Sequence, residues 1–241
     1  MNFEREFLDS LLALRRTNRF QMFLDGPGAA HAYMLHVGAG WAVARLPWLG
    51  GRLRSQFDPL LRWLALDGYG FHEGYFRFRR YIDGLVEPRR LSGYGRRAFD
   101  QGLGRSLWFV EGADVIQIAM RIESFPAFRR GDLWSGVGLA CAYAGGVGRA
   151  EIEALREASD HYLDLAQGAA FAAKARQRAG NSAPHTALAC EVLCGMTAEE
   201  SARVTDEALE GLPDTSGDDL PSYETWRTRV RERLSGSCVI P

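Results

Sequence analysis

A glycine pair separated by one residue recurs along this 241-residue chain, at Gly38/Gly40, Gly68/Gly70, Gly102/Gly104 and Gly136/Gly138. The steps are 30, 34 and 34 residues apart, and Ala166/Gly168 reads as a degenerate fifth copy. Apolar or aromatic residues follow each step, and most copies end in glycine, at Gly84, Gly112, Gly145 and Gly180. Glycine inside a helix costs about 1 kcal/mol relative to alanine. A cost repeated at one register implies a gain that offsets it. The simplest gain is close approach of neighbouring helices, because glycine has no Cβ to hold two backbones apart. A period near 34 suits helical hairpins, stacked as an open α-solenoid or closed into an α/α toroid. The sequence does not separate these two.

The rest of the pattern is helical. Phe3, Phe7, Leu11 and Leu14 make one stripe, Val115, Ile118, Ala119 and Ile122 a second, and Leu163, Ala166, Ala170 and Ala173 a third. Long alternating β-branched runs are missing, so the fold class is all-α. Stops fall at Pro47 with Gly50-Gly51, Pro88, Pro126, Gly145-Gly146, Gly180-Asn181 and Pro213. Thr197 with Glu200 reads as a capping box for a helix to about Leu209. A polar loop, 213–221, then leads to an Arg-rich helix from about Tyr223 to Leu234. One continuous repeat domain, 1–241, is expected.

Charge narrows the function. There are 28 arginines and one lysine, Lys174, against 30 acids, for a net charge of -1. That balance, without a basic stripe, argues against nucleic acid as a partner. Arginine without lysine reads as GC-rich codon usage, or as clamping of phosphate or carboxylate by a fixed fork of donors. The longest uncharged stretch, Gly26–Ala44, is interrupted by Pro27, two histidines and several glycines, so it reads as a buried helix and not a membrane span. Cys141, Cys190, Cys194 and Cys238 form no CxxC pair, and reduced thiols in a cytoplasmic protein are expected.

Five blocks carry a resemblance: GYGFHEGYF (68–76), RRAFDQGLGRSLWFVEGADV (96–115), FRRGDLWSGVGLACAYAGG (128–146), LAQGAAFAAKARQRAGN with PHTALACEVLCG (165–195), and SYETWRTRVRERL (222–234). Together they resemble an actinobacterial family of unknown function encoded beside iterative enediyne polyketide synthases, most strongly over 68–234. The resemblance implies a place in enediyne or related polyene-derived natural-product biosynthesis. It supplies no reaction and no catalytic residues.

The residues themselves offer several candidates. His72-Glu73 follows the second glycine step and has the composition of an acid–base pair or two metal ligands, although adjacent helical residues point about a quarter-turn apart. Glu111 and Asp114 share a helix face if the helix continues past Gly112. Asp132 and His185 complete the candidate catalytic set of His72, Glu73, Glu111, Asp132 and His185. Glu-x-x-His is absent, which leaves a di-metal oxidase little support, and no metal or cofactor is assigned. No Gly-x-Ser-x-Gly elbow or P-loop occurs. Trp63, Tyr69, Phe71, Tyr75, Phe76, Trp108, Phe109, Trp134 and Tyr143 fall near equivalent repeat positions; most of them read as core, and Tyr75, Phe76, Trp108, Phe109, Trp134 and Tyr143 are the candidates to line an aromatic cavity for a conjugated hydrocarbon. Five arginines between Arg77 and Arg90 form either a solvated face or a docking site for an acidic acyl carrier protein. The leading expectation is a protein that binds a conjugated polyene intermediate, or converts it by cyclisation or oxidation. The alternatives are a non-catalytic scaffold for the synthase machinery and a product-sequestering resistance protein.

Overall fold

The computed structural model describes residues 19–46, 57–213 and 220–237. The stripe at Phe3–Leu14, the stop at Pro47 with Gly50-Gly51, most of the 213–221 loop and Cys238 lie outside them. Every regular element among the described residues is helical. In chain order they are α1 (Arg19–Leu24), α2 (Ala32–Arg45), α3 (Arg62–Phe76), α4 (Tyr94–Val110), α5 (Val115–Glu123), α6 (Ala127–Ala144), α7 (Arg149–Ala158), α8 (Tyr162–Arg178), α9 (Pro184–Cys194), α10 (Ala198–Glu207) and α11 (Ser222–Ser237). A 3₁₀ turn (Ala29–His31) precedes α2, and a π turn (Arg79–Asp83) follows α3.

The glycine steps sit inside α2, α3, α4, α6 and α8, and these helices pack on one another in that order. Each junction is made twice over by glycine. A Cβ on Gly40 would lie 2.0 Å from the Ala65 carbonyl oxygen of α3, and one on Gly68 would lie 2.0 Å from that of Val37 in α2. Gly70 and Gly102 close the α3–α4 junction against Phe99 and Asp67 at 2.0 and 1.7 Å. Gly104 and Gly136 meet Leu133 and Gln101, and Gly138 and Gly168 meet Leu165 and Ser135, at 1.9–2.0 Å. The first glycine of a step therefore faces the preceding helix and the second faces the next. In place of a Cβ, a Cα hydrogen points at the neighbour's carbonyl oxygen, a weak favourable contact.

This division of labour corrects the fifth copy. Gly168 occupies the first position, so the copy is Gly168/Ala170, not Ala166/Gly168. The ends of the series obey the same logic. Among the described residues Gly38 has no preceding long helix, and no described atom lies within 4 Å of its Cβ position. Ala170 has no following member of the series and carries a methyl group.

Contacts ascend together along each pair, from Trp63–Tyr94 to Phe71–Phe109 between α3 and α4 and from Arg97–Asp132 to Trp108–Gly145 between α4 and α6. The long helices thus run in the same sense. The short α5 and α7 carry the chain back. Asp114 caps α5 by accepting from the Ile116 and Gln117 amides. Val115, Ile118 and Ile122 turn inward, as the stripe predicts. Thr197 and Glu200 form the expected capping box, and α10 stops at Glu207.

The residue before each first glycine is polar and buried in four consecutive helices: Asp67, Gln101, Ser135 and Gln167. Equivalent register puts them on one face, and they join across it. Gln101 donates to Asp67 at 2.9 Å, and Ser135 donates to Gln167 at 2.9 Å. Helix α11 lies over this face. Tyr223 meets Gln101, and the Arg227 Nε donates to Gln167 at 3.0 Å. Arg227 is fully buried and also reaches Asp132 of α6 at 2.6 Å. Glu224 accepts from the Tyr94 hydroxyl, Arg97 and Arg231 at 2.7–3.1 Å.

Burial alone would push the Glu224 carboxyl up. The guanidinium groups of Arg227, Arg97 and Arg231 outweigh that and hold it at about 2, below the ordinary 4.5. A depressed carboxylate stabilises the fold above its unfolded pKa. That stabilisation is lost as pH falls from about 4.5 towards 2, and is worth about 3 kcal/mol. Urea midpoints should therefore drop between pH 5 and pH 3, and Glu224→Gln should flatten the drop. An equally steep drop in that variant would place the acid sensitivity elsewhere.

Candidate functional site

Helix α3 presents two faces, and both carry chemistry. On one face Arg62, Leu66, Tyr69, Glu73 and Arg77 recur at helical spacing. Together with Val43 and Ala44 of α2, Phe57, and the 77–95 connection, they line a cavity of about 720 Å³. Its apolar surface comes from Phe57, Trp63, Leu66, Tyr69, Tyr81 and Leu91. Its charge comes from Arg62, Arg77, Arg80, Arg89 and Arg90, against the carboxylate of Glu73. The volume lies within the ordinary range for small-molecule sites, about 300–1,000 Å³.

The two phenols stay protonated. Burial pushes Tyr69 up to about 12 and the Glu73 carboxylate adds to it; the same two causes raise Tyr81. They are hydrogen-bonding groups at neutral pH, not bases. The guanidinium of Arg62 lies 4.6 Å from the Trp63 ring, and that of Arg80 lies 5.4 Å from the Tyr81 ring. A guanidinium over a ring is held by cation–π attraction, which fixes the positive charge of Arg80 beside the cavity.

The other face of α3 holds Phe71, His72, Tyr75 and Phe76 at the C-terminal ends of α2–α4. Trp41 stacks on Phe71 with centroids 5.5 Å apart, and Phe109 meets Phe71 edge-on at 5.4 Å. Phe71 and Tyr75 are parallel at 6.2 Å, and His72 lies 4.8 Å from the Phe76 ring. Tyr75, Phe76 and Phe109 are each nearly half exposed, which makes this an aromatic surface.

His72 and Glu73 join the two faces. Arg45 donates to His72 Nε2 at 2.8 Å, so the ring carries its hydrogen on Nδ1 and donates to Glu73 at 3.2 Å. Arg77 donates to the other Glu73 oxygen at 3.3 Å. The adjacent side chains still reach one another through a single hydrogen bond. Both ring nitrogens are engaged by protein and the ring is buried, so this histidine holds a wall in place and offers no open coordination position.

The remaining acidic and histidine candidates, Glu111, Asp132 and His185, are held in separate contacts away from this centre. The reading of Glu111 with Asp114 on a continuous helix is corrected, because α4 ends at Val110 and Gly112 turns the chain at φ +59°. Glu111 instead accepts from Arg121 at 2.9 Å. Asp132 is held by Arg97 and Arg227 and anchors α11. His185 donates to the Tyr143 carbonyl at 3.0 Å and fills the space beneath Gly145. Trp108 and Trp134 are buried in the core, with the Trp108 indole donating to the Gly145 carbonyl at 3.0 Å. Tyr143 lies under the Arg176 guanidinium, 4.4 Å away. Of the predicted ligand-facing aromatics, Tyr75, Phe76 and Phe109 share one surface.

Sequence reasoning missed Phe57, Arg62 and Tyr81, while Trp63 and Tyr69 of its aromatic set do line the cavity. The dense arginines at 77–90 were the available signal, and four of the five line the cavity. Cys141, Cys190 and Cys194 are buried. Among the described residues no cluster of three or more His, Cys, Asp or Glu side chains has the arrangement to hold a metal ion. No described helix is long and apolar enough to cross a membrane. A family model described as a protein of unknown function (DUF1702) matches residues 5–234. No curated protein and no solved structure matches the chain.

Proposed function

The chain belongs to a family of proteins of unknown function (DUF1702), and we propose that it binds an extended apolar ligand with an anionic end. In the setting that the sequence resemblance implies, that ligand is a conjugated polyene intermediate of enediyne biosynthesis. The observation that carries the binding reading is the cavity beside α3, with its aromatic and aliphatic floor and its five arginines. Rings give a conjugated chain flat surfaces to lie on, and the guanidinium groups fix its charged end.

The reading favours binding over chemistry. Glu73 is the carboxylate of the cavity lining, and His72 and Arg77 already occupy it. A step such as cyclisation would need Glu73 to give up one of these partners. The resistance and scaffold alternatives differ in what they bind: finished product in one case, protein in the other.

The repeat architecture belongs to the same proposal. Long helices in one sense, returned by short α5 and α7, make repeated helical hairpins. Arg178 at the end of α8 donates to the Ala29 carbonyl before α2 at 3.0 Å and lies 5.2 Å from the Tyr33 ring. This contact between the ends of the series favours the toroid over the open solenoid.

A fluorescent conjugated tetraene acid, cis-parinaric acid, tests the binding. Saturable binding at one site is expected, and Ala44→Trp, which fills the cavity, should weaken it at least ten-fold. No saturable binding, or undiminished binding in the variant, overturns the assignment. Deletion of the gene in a producing strain tests the pathway: an accumulating polyene supports it, and unchanged product removes it.

A further inference from the structure

The geometry points to a phosphate ester, and not a carboxylate, as the anionic end that the cavity takes; this rests on the cavity being a ligand site. The argument is one of charge. The connection from α3 to α4 carries two acids beside its arginines, and both turn away from the cavity. Asp83 pairs with Arg121 at 2.8 Å, and Glu87 pairs with Arg96 at 2.9 Å. Arg121 and Arg96 are not part of the cavity lining. Glu73, inside it, pairs with Arg77. That leaves Arg80, Arg89 and Arg90 at the cavity with no carboxylate partner among the described residues.

Three uncompensated guanidinium groups exceed what one carboxylate neutralises. A carboxylate brings one charge and two oxygens. A phosphate monoester brings close to two charges at pH 7 and three terminal oxygens, and two guanidinium forks can grip it at once. Arg80 lies against Tyr81, which directs its fork instead of leaving it to wander in solvent. Arg89 and Arg90 are exposed and adjacent, on the turn that follows Pro88. The aromatic and aliphatic lining then takes whatever apolar body the phosphate carries. The ligand class is an amphipathic phosphate ester, whether free in solution or displayed on a lipid surface.

Three ligands of one chain length separate the claims: dodecyl phosphate, dodecanoate and dodecanol, each competed against cis-parinaric acid. Dodecyl phosphate is expected to bind at least ten-fold tighter than dodecanoate at low salt, with the gap narrowing at high salt. The double variant Arg89→Ala/Arg90→Ala should lose at least ten-fold for the phosphate and less than three-fold for dodecanoate. Both residues are on the surface, so the fold should survive, which circular dichroism checks. Equal binding of phosphate and carboxylate overturns the phosphate assignment and leaves the cavity reading standing. Failure of all three to displace the probe overturns the cavity reading itself. Vesicles containing phosphatidic acid, against vesicles of phosphatidylcholine alone, separate the two sources. Co-sedimentation with the former supports a lipid headgroup. Soluble binding without co-sedimentation supports a free phosphate ester.

Discussion

Replacing Gly102 by alanine is expected to destabilise the protein by about 4 kcal/mol or more, which is a loss of roughly 10 °C or more in Tm for a chain of this size. The new methyl carbon would lie 1.7 Å from the Asp67 carbonyl oxygen and 2.8 Å from the Phe71 nitrogen. Both are backbone atoms, so no rotamer change relieves the clash. The α3–α4 pair must separate by more than 1 Å, roughly the shortfall from ordinary contact, and that loosens the packing around it. The same change at Gly38, where no described atom lies within 4 Å, should stabilise by about 1 kcal/mol through helix propensity alone. Calorimetry on the two variants decides the matter. Equal losses at both positions would show that the glycines serve flexibility and not close approach.

Truncating Arg227 should have an effect of similar size. Arg227→Met removes the cation shared by Asp132, Glu224, Gln167 and the Tyr94 hydroxyl. Breaking a buried ion pair from one side costs about 3–5 kcal/mol, because the remaining charges stay out of water without their partner. Arg97 and Arg231 still reach the two carboxylates, so the lower end of that range is expected. Asp132→Asn should cost less, and the double variant should fall short of the sum by at least about 1 kcal/mol. Additive losses in urea melts would mean that the two groups do not act through one another.

Part of this architecture was legible from the chain alone. The glycine steps announced close helix contact, because a repeated local cost needs a repeated gain. Which glycine faces which neighbour was not legible, since one helix in isolation has no direction of stacking. The fifth copy was misplaced for that reason: Ala170 needs no glycine where the series ends. Which aromatic positions are core and which face outward was not legible. Helix α4 is flanked by α3 and α6 and covered by α11, so nearly all of it from Tyr94 to Trp108 is buried. No periodicity then separates core from ligand-facing rings. The cavity stayed hidden because its lining is drawn from Val43 to Gly95 across three segments of chain. The α11 contacts were hidden by distance: Arg227 meets Asp132 across 95 residues and Tyr94 across 133.

The placement of α11 has a consequence for the order in which the molecule comes into being. The five glycine-bearing helices leave the ribosome first, each able to dock on its predecessor as soon as it emerges. Asp67, Gln101, Ser135 and Gln167 then wait on an uncovered face until the segment from Ser222 onward follows. A nascent chain paused before that point would carry a row of half-satisfied polar groups in an otherwise apolar surface. Such a chain is a natural client for chaperones, and protease resistance should appear late and abruptly during synthesis.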